Sequence, residues 1–209
     1  VLGTHRLPDR TLLSGANPLS DLCGGAYFYL DNQDRAVVAT TNKQVQVVAE
    51  SGSSSFALQR SYDLSTDIGA KDCVIALLPD WSGRIWFVTQ GGVVGTIAPA
   101  SGAVQTLTLD GEKIVNSFAT DETGGVYIVS DHAMYRFDAS TSGTPTITWR
   151  QPYDRGSQLK PGQLSQGSGT TPTLVGGDLV AITDNADPRM NVIFYDRRTG
   201  QERCQASVF

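Results

Sequence analysis

Apolar and polar positions alternate along this chain in short runs, and the runs recur. The copies read FYLDNQDRAVVATTNKQVQVV from Phe28, LLPDWSGRIWFVTQGGVVGTI from Leu77, FATDETGGVYIVSDHAMYRF from Phe118 and TLVGGDLVAITDNADPRMNVIFY from Thr173. Each holds a short apolar run, a turn rich in Asp or Gly, a β-branched or aromatic run ending in Thr or Ser, and a third run. Runs of about 4–8 such residues, punctuated by Gly, Asp, Ser and Pro, mark strands joined by hairpins. No long helical period competes with them. Aligned on Thr40, Thr89, Ser130 and Thr183, the copies lie 49, 41 and 53 residues apart. A loose strand repeat of this length predicts an all-β fold, a β-propeller of antiparallel four-stranded blades, because one such unit cannot bury its own faces.

About four blades are visible, near 24–60, 71–109, 114–149 and 168–209, within a single domain spanning 1–209. In the second, Cys73 to Leu78 reads as the inner strand, Arg84 to Thr89 as the next, Val93 to Ile97 as the third and Val104 to Leu109 as the outer. Inner strands are expected near 26–30, 73–78, 117–120 and 171–175, with first turns near 32, 82, 123 and 177. Trp86, Phe87, Tyr127 and Ile128 should alternate between the two blade faces and fill the core. Asp31, Asp80 and Asp121 fall where Asp caps a turn, and Trp81 reads as packed under a loop. The third hairpins, Pro99-Ala100-Ser101-Gly102, Ser140-Thr141-Ser142-Gly143 and Arg197-Arg198-Thr199-Gly200, end on Gly, as a tight turn with positive φ demands.

Two departures from the repeat matter. Residues 150–169 form a polar stretch longer than the usual connection of about 4–6 residues, expected to be a partly ordered loop over a functional face. The chain also stops on what should be the outer strand of the fourth blade. We therefore expect a piece of a larger propeller, whose open strand edges promote self-association. The alternative is a complete four-bladed ring closed by residues 1–20 pairing with the fourth blade.

Composition narrows the function. With a net charge of −5, four lysines and no basic cluster interleaved with aromatics, a nucleic-acid partner is excluded. No apolar run approaches the ~20 residues of a membrane span, and the first residues lack a signal-peptide core, reading as a mature or excised start. Low Lys with abundant Ser, Thr and Gly points to a secreted or periplasmic protein. Cys23, Cys73 and Cys204 show no metal or redox spacing and read as three buried free thiols, the alternative being a Cys23–Cys73 disulfide.

Hairpin arithmetic converts the repeat into a candidate site. Residues equidistant from a turn face each other, which sets Asn116 opposite Asp131, Val74 beside Gln90, Gly24 beside Asn42, and Ser168 and Gly169 beside Asp184 and Asn185. These positions converge on one axial face, where Asn116, Asp131, Asp184 and Asn185 form a candidate cage for a hard cation such as calcium. Asn42, Gln90, Thr170, Thr171 and Asp187 would rim a ligand, and Asp131 with His132 are the catalytic candidates. The same polar residues also serve as ordinary caps of strand ends.

The second repeat, PDWSGRIWFVTQGGVVGTIAPASGAVQTLTL, resembles the repeats of streptogramin-lyase-like propellers. NSFATDETGGVYIVSD is similar to a blade of the senescence-marker and gluconolactonase group, and IFYDRRTGQERC to quinoprotein-type repeats, with Cys204 where those carry an aromatic residue. Through NSFA, GSGTTPTL and ITDNADP the whole chain resembles a bacterial β-propeller of uncharacterised family. The streptogramin-lyase resemblance implies histidines and a divalent cation, yet only His5 and His132 are present. The gluconolactonase resemblance implies a calcium-type hydrolase or lactonase with Asn116 and Asp131 at the metal. The family's further Glu and Asn have no counterpart here. Against that alternative stands a ligand-binding or scaffold propeller that takes a small molecule, glycan or protein at its axial face, the reading favoured by the lack of a strong catalytic motif.

Overall fold

The computed structural model describes residues 3–9, 23, 27–161, 163 and 165–208. Their strands form four antiparallel four-stranded sheets, each made of four strands consecutive in sequence. The first holds β1 (Tyr29–Leu30), β2 (Ala36–Ala39), β3 (Gln44–Glu50) and β4 (Phe56–Asp63). The second holds β5 (Val74–Pro79), β6 (Ile85–Thr89), β7 (Val93–Ile97) and β8 (Val104–Thr108). The third holds β9 (Ala119–Thr120), β10 (Val126–Val129), β11 (Ala133–Ala139) and β12 (Pro145–Pro152). The fourth holds β13 (Thr173–Val175), β14 (Leu179–Thr183), β15 (Met190–Asp196) and β16 (Glu202–Val208). This is the meander of propeller blades.

The core lies between blades, and the two-residue strand period builds it. In β6, Ile85 and Phe87 pack toward the first blade with Val37, Val45 and Val47, while Trp86 and Val88 pack toward the third with Val126 and Ile128. In β10, Tyr127 and Val129 turn the other way and meet Val180, Ile182 and Ile193 of the fourth. One strand thus serves two interfaces because successive side chains point to opposite faces. Gly95 in β7 is required by the Phe87 ring, whose nearest atom lies 2.1 Å from where a Cβ would stand.

Turn chemistry repeats as the residues dictate. Asp31, Asp80 and Asp121 each accept backbone N–H groups two and four residues on, closing the first hairpin. The second oxygen of Asp80 takes the Trp86 indole at 3.0 Å, and that of Asp121 takes the Tyr127 hydroxyl at 2.8 Å. Turn and core are thereby locked together. The repeated hydroxyls have a structural task too: Thr40, Thr89 and Ser130 accept the N–H of Gln44, Val93 and Ala133 at the start of the third strand. In the fourth blade Asp184 does this, accepting from Asn191. Gly102, Gly143 and Gly200 all have positive φ in the third hairpins.

Three expectations are corrected. Cys23 and Cys73 form a disulfide with Cα atoms 5.5 Å apart, and Cys204 is an exposed free thiol, so the chain does not carry three buried thiols. The blade stacking that sets Cys23 against Cys73 leaves no mark on cysteine spacing. Trp81 is 72% exposed rather than packed under a loop, because the Asp80 turn projects it outward. The inner-strand registers also slip. A bulge between Val74 and Ala76 pairs Val74 with Thr89, and Gln90 bonds to Cys73 instead. After the Tyr127–Ala119 pair the chain leaves the strand so that Phe118 and Ile114 enter the core, and Asp131 meets Lys113 rather than Asn116. The Gly24–Asn42 pair and residues 1, 2 and 10–20 of the proposed ring closure lie outside the described residues, while residues 5–9 lie beside Gln46 and Leu58 of the first blade. No strand of the fourth sheet pairs with one of the first among the described residues, and no core cluster joins them.

Candidate functional site

Antiparallel order puts the start of each inner strand and the turn after each second strand at the same end of a blade. Asn116, Asp131, Thr170, Thr171, Asp184 and Asn185 therefore share one end, and the described residues of the 153–172 segment between β12 and β13 cross it. The crossing is built into the fold. Buried Tyr153 donates its hydroxyl to the Ser130 carbonyl and accepts the Ser168 N–H at 2.8 Å. Ser168 in turn offers its carbonyl to the Asn116 amide at 3.1 Å. Gly167 packs on the Asp131 backbone, a Cβ there standing 2.9 Å from the Asp131 Cα. The stretch 166–168 thus runs between Asn116 and Asp131 and keeps them from touching directly.

Asn185 has no solvent exposure, and all of its polar groups hold the crossing segment. Its N–H bonds to the Asp154 carbonyl, its amide nitrogen donates to the Arg155 carbonyl at 2.7 Å, and its side-chain oxygen accepts from Gln163 at 2.8 Å. Its carbonyl, with that of Ala186, receives the Lys160 ammonium. Exposed Asp187 accepts both the N–H and the hydroxyl of Ser157. Asp184, 2% exposed, is spent within its own hairpin on Asn191 and Ala186.

Asp131 and His132 belong to a second network. One Asp131 oxygen accepts the Lys113 N–H at 2.7 Å and lies 2.8 Å from His132 Nδ1, while the other lies 3.4 Å from Arg155. Arg155 also places a guanidinium nitrogen 2.9 Å from His132 Nε2. A guanidinium only donates, so Nε2 accepts and Nδ1 carries the proton to Asp131. Both ring nitrogens are occupied by Asp131 and Arg155. Beside them Glu112, which the sequence did not single out, accepts from Ser130, from Tyr135 at 2.7 Å and from Arg150 at 3.0 Å. Burial pushes the Glu112 carboxyl up, but these donors outweigh it and hold the group below its ordinary value. Burial and the bond to Glu112 push the Tyr135 phenol up to about 12.

Of the remaining candidates, Thr170 accepts the Thr183 N–H at 3.0 Å, the pairing expected of Ser168 and Gly169 with Asp184 and Asn185 being displaced by the crossing segment. Asn42 is exposed and bonds to Thr40, and Thr171 and Gln90 are half-buried. The structure therefore resolves the predicted residues into an Asp131–His132–Arg155 cluster, an Asn185-centred cradle and an isolated Asp184 cap. No group of three or more His, Cys, Asp or Glu side chains among the described residues is placed to hold a metal ion. Arg155 and Tyr153 were missed because only the fold brings them to His132 and Ser130. The lone aromatic in the polar stretch was the available signal.

No family model matches the chain. It is 35% identical over 130 residues to a protein of Archaeoglobus fulgidus described as uncharacterized, an alignment covering 58% of this chain and 25% of that one. Among solved structures it is similar to an extracellular domain from B. thetaiotaomicron, with a TM-score of 0.61 at 14% identity over 87% of this chain and 23% of the other. It is similar also to the β-propeller domain of Cps50 (Swd1) from Myceliophteria thermophila, with a TM-score of 0.61 at 12% identity over 82% of this chain and 55% of that one. These likenesses establish a β-propeller fold. The chain spans a quarter of the archaeal protein's length.

Proposed function

We propose that this chain is the binding or scaffold part of an exported propeller, with its recognition surface at the end crossed by residues 153–172. The observation that carries this reading is the commitment of the polar residues there. Asn185, Asp187, Asn116 and Asp131 bind the crossing segment and fix its shape. A pre-shaped loop loses little entropy on meeting a partner, which suits recognition of a small molecule, glycan or protein. The Cys23–Cys73 disulfide supports an oxidising, extracytoplasmic setting.

A calcium-type hydrolase would need Asn116 and Asp131 to turn toward one cation, and both now hold the crossing segment. Titration calorimetry against glycan and metabolite panels, run beside ester and lactone turnover assays, separates the readings. Saturable binding without turnover is expected. Turnover that depends on calcium and is lost in Asp131→Asn would replace this proposal with the hydrolase.

A further inference from the structure

At the opposite end of the blades, beside the Asp31 and Asp80 turns, lies a groove of about 390 Å³ between the first two blades. Its volume falls within the usual range of ligand sites, roughly 300–1,000 Å³. Val37, Val47 and Ile85 make an apolar floor, each at most 5% exposed. Three aromatic rings stand around it: Tyr29, Tyr62 and Trp81, the last 72% exposed although tryptophan has the largest side chain of any residue type. An apolar floor walled by aromatics and open to solvent is unusual on a surface unless something covers it.

Its hydrogen-bonding groups define the occupant. The carboxylates are already spent: Asp31 on Gln33 and Arg35, Asp80 on Ser82, Arg84 and Trp86. The Tyr62 hydroxyl is spent on the Pro99 carbonyl at 3.1 Å. Left without partners among the described residues are the Trp81 indole N–H, the Tyr29 hydroxyl and the exposed Asn32 amide, each able to donate. A saccharide's vicinal hydroxyls donate as well as accept and are held best by carboxylates, and the carboxylates here are taken. A proline-rich chain brings apolar rings, carbonyl acceptors and no N–H at its prolines, and its stiff extended helix loses little entropy on docking.

We propose that this groove docks an extended, proline-rich peptide segment, with Trp81 as its anchor and Tyr29 and Trp81 donating to its carbonyls. The site lies away from the 153–172 crossing and stands independently of the function proposed there.

The test titrates a decaproline peptide into the chain, following calorimetric heat and tryptophan emission. Trp86 and Trp149 are buried, so a blue shift on binding reports Trp81. Saturable binding is expected, weakened at least about tenfold in Trp81→Ala, as for an interface anchor, and about threefold in Tyr29→Phe, which removes one donor. Unchanged melting temperatures show that the variants remain folded. An alanine-glycine peptide of equal length and maltohexaose serve as competitors of other chemistry. Absence of decaproline binding, equal binding by Trp81→Ala, or a preference for maltohexaose overturns the proposal.

Discussion

Asp121 shows how one side chain ties a turn to a core. It is 2% exposed, and burial by itself would raise its carboxyl. Hydrogen bonds from Thr123, Tyr127 and Gly125 outweigh that cost and hold the group below the ordinary carboxylate range. A depressed folded value means that the stabilisation is fully present above the unfolded value of about 4 and disappears as pH falls through the folded one. Melting temperature should therefore be flat from neutral pH down to about 5 and then fall, and Asp121→Asn should flatten that acid limb. A variant with the parent's acid profile would remove Asp121 from the explanation. Asn185 is the other decisive residue. Asn185→Ala leaves the Gln163 amide nitrogen without a partner and the Arg155 carbonyl with Gln166 alone, and should cost about 1–3 kcal/mol, with faster hydrogen exchange confined to residues 154–160. Uniform acceleration across all blades would mean that Asn185 supports the whole fold rather than the crossing segment.

Strands and turns were legible in the sequence because each leaves a local mark. Alternation such as Ile85-Trp86-Phe87-Val88 places strands, and Asp-to-Gly turns place hairpins. Register was less legible. The bulge at Val74 and the inward turn of Ile114 and Phe118 depend on what the neighbouring blade accepts, and they displaced Asn116 from Asp131. The same holds for the Cys23–Cys73 bridge and for Arg155 against His132, contacts made across blades and across a long crossing. Gly95 tests how tightly the elements fit. A methyl group there meets the Phe87 ring, which is fully buried between two blades and has nowhere to move. Gly95→Ala should destabilise by about 1–3 kcal/mol, lowering the melting temperature by roughly 5 °C. A variant melting with the parent would show that the interface yields where close packing says it cannot.

For the whole molecule the consequence follows from which faces are covered. In the fourth blade, Val180, Ile182, Ile193 and Tyr195 pack on the third. Strand alternation sends the half-buried Leu179, Val192 and Phe194 and the buried Ala181 to the other face, against which no sheet packs among the described residues. A propeller blade buries both faces, so this one is half-finished among the described residues, in keeping with the aligned share being only 25% of the archaeal protein. Apolar sheet faces that no second sheet covers associate. The isolated chain should sediment as a concentration-dependent dimer or larger species, and Val192→Lys with Phe194→Glu should shift it toward monomer while leaving its melting temperature close to the parent's. Those substitutions act only on the uncovered face, since Ile193 and Tyr195 still hold the interface with the third blade. A parent chain that sediments as a compact monomer at every concentration would mean that the fourth blade's outer face needs no partner, and the larger-propeller reading would lose its physical basis.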